Sequence, residues 1–173
     1  MTPRLVVMTG YFSSGKTTIS KYLEELGFTT LCSDLYRKKL VGPRIGILKV
    51  IRDSELFERE KEVWKELDMD KRKMLENGYD VVVDSQAEND NMRRYLLNTN
   101  YDRAEINPEK YLIIIRADKE ILSKRECEEG IKWCDENWTE PDTNLDCEII
   151  EYKNNVPDDL EHIRKDLMTK FGG

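Results

Sequence analysis

Near the start of the chain a continuous apolar run, Leu5-Val6-Val7-Met8, leads within two residues into Gly10-Tyr11-Phe12-Ser13-Ser14-Gly15-Lys16-Thr17. Directly after it, Ile19, Tyr22, Leu23 and Leu26 recur at helical spacing, and Gly27 stands where a helix closes. An apolar run without polar alternation is what a strand covered on both faces requires. The glycines between strand and helix let the backbone turn tightly enough for successive N–H groups to converge on one point. This order of strand, glycine-bearing turn and helix points to an α/β architecture whose first turn is an anion cradle.

The remainder of the chain keeps the same alternation. Phe28 to Cys32 reads as a second strand. From Ser54 to Glu76, Leu56, Phe57, Val63, Trp64, Leu67, Met74 and Leu75 form one stripe on a long helix, which Asn77-Gly78 stops. Val81-Val82-Val83 is a third strand, residues 88–98 a helix, and Tyr111 to Ile115 a fourth strand. Asp118 is placed to N-cap a helix carrying Ile121 and Leu122. Cys147 to Ile150 reads as a weaker fifth strand, and Pro157 opens a last helix with Leu160, Ile163 and Leu167 inward. Five strands alternating with helices predict a three-layer α/β fold around a five-stranded parallel sheet, with right-handed crossovers and one domain over residues 1–173. Residues 42–53 and 126–146 are the irregular stretches, where substrate contacts or a lid are expected.

Composition bounds the function. Of 173 residues, 36% are charged and 39% hydrophobic, which describes a solvated exterior over an ordinary core. No apolar run approaches the ~18 residues of a membrane span, so no membrane association is expected and the cytoplasm is the expected compartment. The net charge of −7 argues against non-specific coating of nucleic acid, yet Arg37, Lys38, Lys39, Arg44, Lys49 and Arg52 form a local basic run without an acid among them. That run is either a solvated face or the binding surface of an anionic partner. The four cysteines, Cys32, Cys127, Cys134 and Cys147, are irregularly spaced and His162 is the sole histidine, so reduced thiols are expected in place of a zinc site.

The segment 10–17 fits G-x-x-x-x-G-K-[ST] in full, in the strand-to-helix context that gives the motif its meaning. This P-loop predicts ATP and Mg²⁺ as cofactors. Gly10, Tyr11, Phe12, Ser13, Ser14, Gly15, Lys16, Thr17 and Thr18 are the candidate nucleotide contacts, with Lys16 reaching the β- and γ-phosphates. The Thr17 hydroxyl is a candidate Mg²⁺ ligand. Asp84, ending the third strand, is a second candidate for the metal shell; a turn-forming aspartate is the alternative. No Asn-Lys pair exists, so a guanine-reading segment is absent, and the length suits a small kinase better than a ring-forming ATPase or helicase.

Cys32-Ser33-Asp34-Leu35-Tyr36-Arg37, with Asp34 eighteen positions after Lys16, resembles the Asp-x-x-Arg element of small P-loop kinases, a group of AAA-type ATP-dependent enzymes that includes polynucleotide 5′-hydroxyl kinases and zeta-toxin-like kinases. Met74 to Ser85 resembles that group's block of helix, glycine, hydrophobic strand and aspartate, with Arg93 and Arg94 following; Leu112 to Ile115, then Ile121 to Arg125, resembles the strand and helix leading into its lid. The resemblance implies that Asp34 is the general base for the attacking hydroxyl, that Arg37 helps to bind the acceptor, that residues of about 35–78 form an acceptor-side insertion, and that a short helical lid spans about 124–140. From the residues alone, Asp34 either orients a hydroxyl at the crevice beside the P-loop or caps the helix that follows it. Arg125 is the candidate lid cation, with Arg116 as its substitute, while a helix-terminal arginine answering the dipole is the plainer reading. The relatives carry further arginines past this point, whereas here Glu126, Glu128 and Glu129 follow. Trp133 and Trp138 either stack on a base or pack the lid, and Lys153, Asn154 and Asn155 are expected near the adenine.

These readings predict an ATP-dependent kinase transferring the γ-phosphoryl group to a hydroxyl of an anionic acceptor: a nucleoside, a nucleotide, a polynucleotide end or another small molecule. Transfer to a phosphate, as in nucleoside monophosphate kinases, and a nucleotide-binding regulator with slow ATP hydrolysis are the alternatives. No protein partner is inferred.

Overall fold

The computed structural model describes residues 2–42, 54–101, 104–126 and 128–173. Its elements run β1 (Arg4–Thr9), α1 (Lys16–Glu25), β2 (Thr29–Cys32), α2 (Ser33–Leu40), α3 (Ser54–Glu76), β3 (Val81–Asp84), α4 (Asp90–Leu97), β4 (Asn100–Tyr101), β5 (Ala104–Glu105), β6 (Glu109–Arg116), α5 (Lys119–Arg125), α6 (Glu128–Asn137), β7 (Glu148–Lys153) and α7 (Pro157–Phe171). The main sheet has five strands in the order β2-β3-β1-β6-β7, every pairing parallel. β4 and β5 form a separate antiparallel pair.

Strand alternation divides the core between the two faces. Leu5, Val7, Val81, Val83, Leu112 and Ile114 point to one side, where Leu67 and Leu75 of α3 and Leu96 of α4 cover them. Val6, Met8, Val82, Ile113 and Ile115 point to the other, against Ile19 and Leu23 of α1 and Ile163, Leu167 and Phe171 of α7. These are the three layers that the continuous apolar runs require. The helix stops are equally local. Gly27 and Gly78 adopt φ of 95° and 78°, and Phe28 and Tyr79 donate their amides back to the Leu23 and Met74 carbonyls at 3.1 and 3.0 Å.

Three features differ from the sequence expectation. The last strand begins one residue later than expected and continues to Lys153, because β7 is an edge strand whose Glu151, Tyr152 and Lys153 interrupt the apolar run without interrupting the ladder. Residues 126–146 are not irregular throughout, since α6 occupies Glu128–Asn137. Asp118 does hold the N-cap position of α5, but its carboxylate makes no cap bond; it accepts from Asn155 Nδ2 at 2.6 Å and pairs with Lys153 at 3.1 Å. Residues 43–53, with Arg44, Lys49 and Arg52, and Cys127 lie outside the described residues. Among the described residues no helix is long and apolar enough to cross a membrane.

Candidate active site

β1 delivers the chain into the cradle. Thr9 Oγ1 donates to the carbonyls of Gln86 and Ala87 at 3.0 and 2.8 Å, fixing the strand's end against the segment after β3. Gly10 and Gly15 take φ of 150° and 106°. Side chains do not fit there: a Cβ on Gly10 would lie 2.4 Å from the Ile115 carbonyl oxygen, and one on Gly15 2.3 Å from Asn154 Nδ2. Asn154, itself buried, donates to the Ser14 carbonyl at 2.7 Å and so supports the loop from behind. Lys16 opens α1, so its amide and that of Thr17 belong to the first turn that a helix leaves without intrahelical acceptors. The Lys16 ammonium bends back over the loop to the carbonyls of Gly10 (2.9 Å) and Tyr11 (2.7 Å). Burial lowers its pKa, and the Asp84 charge works against that shift.

Asp84 ends β3 beside Thr17, whose hydroxyl donates to its carboxylate at 2.8 Å. Burial raises the Asp84 pKa, with the Thr17 bond and the Lys16 charge opposing. Next to it the Ser85 hydroxyl is buried without a hydrogen-bond partner. A buried carboxylate, a hydroxyl bonded to it and an orphaned hydroxyl make a hard oxygen donor set. This fits Mg²⁺, which takes one or two protein ligands and completes its octahedron with water and phosphate oxygens.

Thr17, Lys16 and Asp84 open into a cavity of about 570 Å³, shared with Phe12, Ser13 and Gly15 and, on its far side, with Asp34 and Arg37. Asp34 lies in the first turn of α2, one residue past the strand-to-helix junction, and its side chain is 68% exposed. Arg37 is buried and fully engaged: Nε and Nη2 donate to the two carboxylate oxygens of Glu60 at 2.9 and 2.6 Å, and Nη1 donates to Asp34. Burial pulls the Arg37 pKa down, but the Glu60 and Asp34 carboxylates outweigh it and the net shift is upward. Glu60, on α3, is a cavity residue that sequence reasoning missed, as are Trp64, Gln86, Glu88 and Met92.

The other expected residues are dispersed. Gly10, Tyr11 and Arg116 border a smaller recess of about 150 Å³, Ser14 is buried within the loop, and Thr18 is exposed on α1. Arg125 does not line the cavity; its guanidinium donates to the carbonyls of Asn154 and Asn155 at 3.2 and 3.4 Å. Arg116 is held by Glu140 and Glu151, at 2.6 and 2.7 Å, away from the phosphate loop's inner face. Glu126, at the end of α5, and α6 instead bring acids and a thiol to the loop. Tyr11 donates to Asp135 at 3.0 Å, Ser13 to Glu126 at 2.8 Å, and the Phe12 amide to Cys134 Sγ at 3.4 Å. Trp138 packs edge-on against Tyr11 and beneath the Arg93 guanidinium, whereas Trp133 meets Phe12 and lines the cavity.

A family model described as an AAA domain matches residues 5–126. No curated protein sequence matches the chain. Among solved structures, a sugar kinase from a Janibacter species is 17% identical, with a TM-score of 0.66 over 98% of this chain and 94% of that one. The adenylylsulfate (APS) kinase CysC of Mycobacterium tuberculosis, solved with AMPPNP and APS, is 13% identical with a TM-score of 0.62 over 97% and 96%. Thymidylate kinase from Candida albicans is 16% identical with a TM-score of 0.54 over 98% and 92%. At these identities the likeness is one of fold, and it is spread over kinases of different acceptors. The chain belongs to the AAA domain family of P-loop proteins, and its fold is that of the small P-loop kinases.

Proposed function

We infer that this chain is an ATP-dependent kinase that moves the γ-phosphoryl group to a hydroxyl. The observation that carries this is the exposed Asp34 carboxylate sharing one cavity with Lys16, Thr17 and Asp84. In-line transfer to a hydroxyl needs a carboxylate facing the γ-phosphorus to accept the proton, and a phosphate acceptor would be repelled by that same group. The loop amides and Lys16 hold the triphosphate; to do so Lys16 exchanges its two carbonyl acceptors for phosphate oxygens. Thr17 and Asp84 would hold Mg²⁺, which neutralises charge on the β- and γ-oxygens when bound. Arg37, fixed by Glu60, keeps Asp34 oriented. The α6 segment acts as the lid, excluding water from the transfer.

The acceptor range covers nucleosides, nucleotides, polynucleotide ends and sugars. The expectation of an anionic acceptor drew on the basic run 37–52, of which 43–52 fall outside the described residues while Arg37 is already neutralised by carboxylates. An acceptor screen with γ-labelled ATP tests the reading. Lys16→Ala and Asp34→Asn should each abolish labelling, while Asp34→Asn still binds nucleotide. Full transfer by Asp34→Asn would remove Asp34 as the base, whereas no labelled acceptor and slow ATP hydrolysis indifferent to Asp34→Asn would overturn the reading and favour a nucleotide-binding regulator.

A further inference from the structure

The acceptor side of the cavity has a definite chemistry. Beyond the phosphate loop and Asp84 its charged walls are Asp34, Arg37, Glu60, Lys61 and Glu88. The Arg37 charge is matched twice over, by Glu60 and by Asp34. Lys61 stands at the rim, 68% exposed, where both oxygens of Glu58 take its ammonium at 3.0 and 2.8 Å. Glu88 and Asp34 therefore set the local field, and it is negative. The apolar walls come from separate parts of the fold: Trp64 from α3, Met92 from α4, and Trp133 from α6 together with Phe12 of the loop. Aromatic walls with scattered amide and hydroxyl groups, here Asn137, Gln86 and Ser33, suit a flat ring or the apolar face of a sugar ring. Lys61, Trp64 and Met92 also border a second recess of about 500 Å³ with Asn89, Asn91 and Tyr95.

Resting on the kinase reading above, we propose that the acceptor is an uncharged ring alcohol, of the nucleoside or glycoside class, seated against Trp64 and Trp133 with its reactive hydroxyl at Asp34. A phosphorylated acceptor is disfavoured twice: no uncommitted cation faces it among the described cavity residues, and its charge would lie beside carboxylates in a partly desolvated space. ATP supplies the phosphoryl group; the acceptor oxygen forms the new P–O bond as the β–γ bridging bond breaks, its proton passes to Asp34, and ADP leaves.

The test uses matched pairs: nucleosides with their 5′-monophosphates, and methyl glycosides with their 6-phosphates. Each is presented to the whole chain with γ-labelled ATP and Mg²⁺ for transfer, and with a non-hydrolysable ATP analogue for binding by saturation-transfer NMR. At least one uncharged member should bind and become labelled, at least about tenfold better than its phosphorylated partner. Trp64→Ala should raise that acceptor's KM by at least about tenfold, and Trp64→Phe, which keeps an aromatic wall, should restore most of it. Preference for phosphorylated members would overturn the proposal while leaving the kinase reading intact. Binding of an uncharged member without labelling would uphold the proposed occupant and overturn the kinase reading. If no uncharged member binds, the proposal fails.

Discussion

Arg37 and Glu60 meet through two parallel hydrogen bonds of 2.9 and 2.6 Å, and both side chains are more than nine-tenths buried. The pair joins α2 to α3 inside the cavity wall, and the third guanidinium nitrogen reaches Asp34. Glu60 thereby orients the proposed base through Arg37.

Removing one partner of a buried ion pair leaves the other charge uncompensated, which costs about 3–5 kcal/mol. Glu60→Ala should therefore lower Tm by roughly 6–20 °C, at ~2–4 °C per kcal/mol for a chain of this size. Calorimetry reads the stability. Where the variant remains folded at low temperature, kcat should fall more than the KM for ATP rises, since the phosphate cradle is untouched.

Asp84 provides a pH test. Its pKa is raised by burial, so its contribution to stability is full below the unfolded value of ~3.9 and is lost as pH rises through the folded value. At pH 7 the nucleotide-free protein carries that penalty. Asp84→Asn should raise Tm at pH 7 by roughly 1–8 °C, corresponding to about 0.5–2 kcal/mol. The gain should shrink towards zero as pH falls to about 4. The same variant should lose most of the Mg²⁺-dependent stabilisation by nucleotide. A melting series across pH, with and without Mg-nucleotide, reads both.

Gly15→Ala places a methyl group 2.3 Å from Asn154 Nδ2 on a backbone with φ of 106°. Both the clash and the left-handed backbone disfavour it, by about 1–3 kcal/mol for the backbone alone. Nucleotide affinity should fall at least about tenfold, because the loop amides are displaced with the glycine. Isothermal titration with an ATP analogue measures this; unchanged affinity would show that the cradle tolerates a side chain.

Arg125 separates two accounts of the lid. A cation on the transferring phosphoryl group contributes ~10³–10⁵ in rate. An exposed arginine bonded to the Asn154 and Asn155 carbonyls contributes about 1 kcal/mol or less to anything. From its placement, Arg125→Ala should change kcat by less than about tenfold. Single-turnover kinetics distinguish the two.

Most of the fold was legible because its signals are local. Leu5 to Met8, Val81 to Val83 and Leu112 to Ile115 lack polar alternation, and the α3 stripe is bounded by Ser54 and Asn77-Gly78. The phosphate cradle was legible for the same reason, its glycines and Lys16 being contiguous. Glu60 was not, although a signal existed. It falls on the apolar stripe of α3 with Leu56, Val63 and Leu67, as Lys71 does one turn beyond, and a charge on a core-facing stripe must be paired. Lys71 is fully buried and donates to the carbonyls of Leu96 and Asn98. Lys71 also pairs with Asp68 of its own helix at 2.7 Å, but Arg37 and the Leu96 and Asn98 carbonyls lie on other segments, which one-dimensional periodicity does not reveal. The β4–β5 pair is too short to carry a period, and the meeting of Trp64 with Trp133 of α6 around one cavity depends on how α3 and α6 approach each other.

β1 has a hydrogen-bonded strand on either side and a helix layer over each face. Amides there should be among the last to exchange with deuterium, since opening them requires two ladders to separate at once. The cradle is thus rooted in the stiffest segment of the molecule. Nucleotide entry and departure must draw their motion from α6 and the Glu126 just before it, whose hold on Tyr11, the Phe12 amide and Ser13 consists of a few exposed or half-buried bonds, so turnover can be fast without the sheet ever loosening.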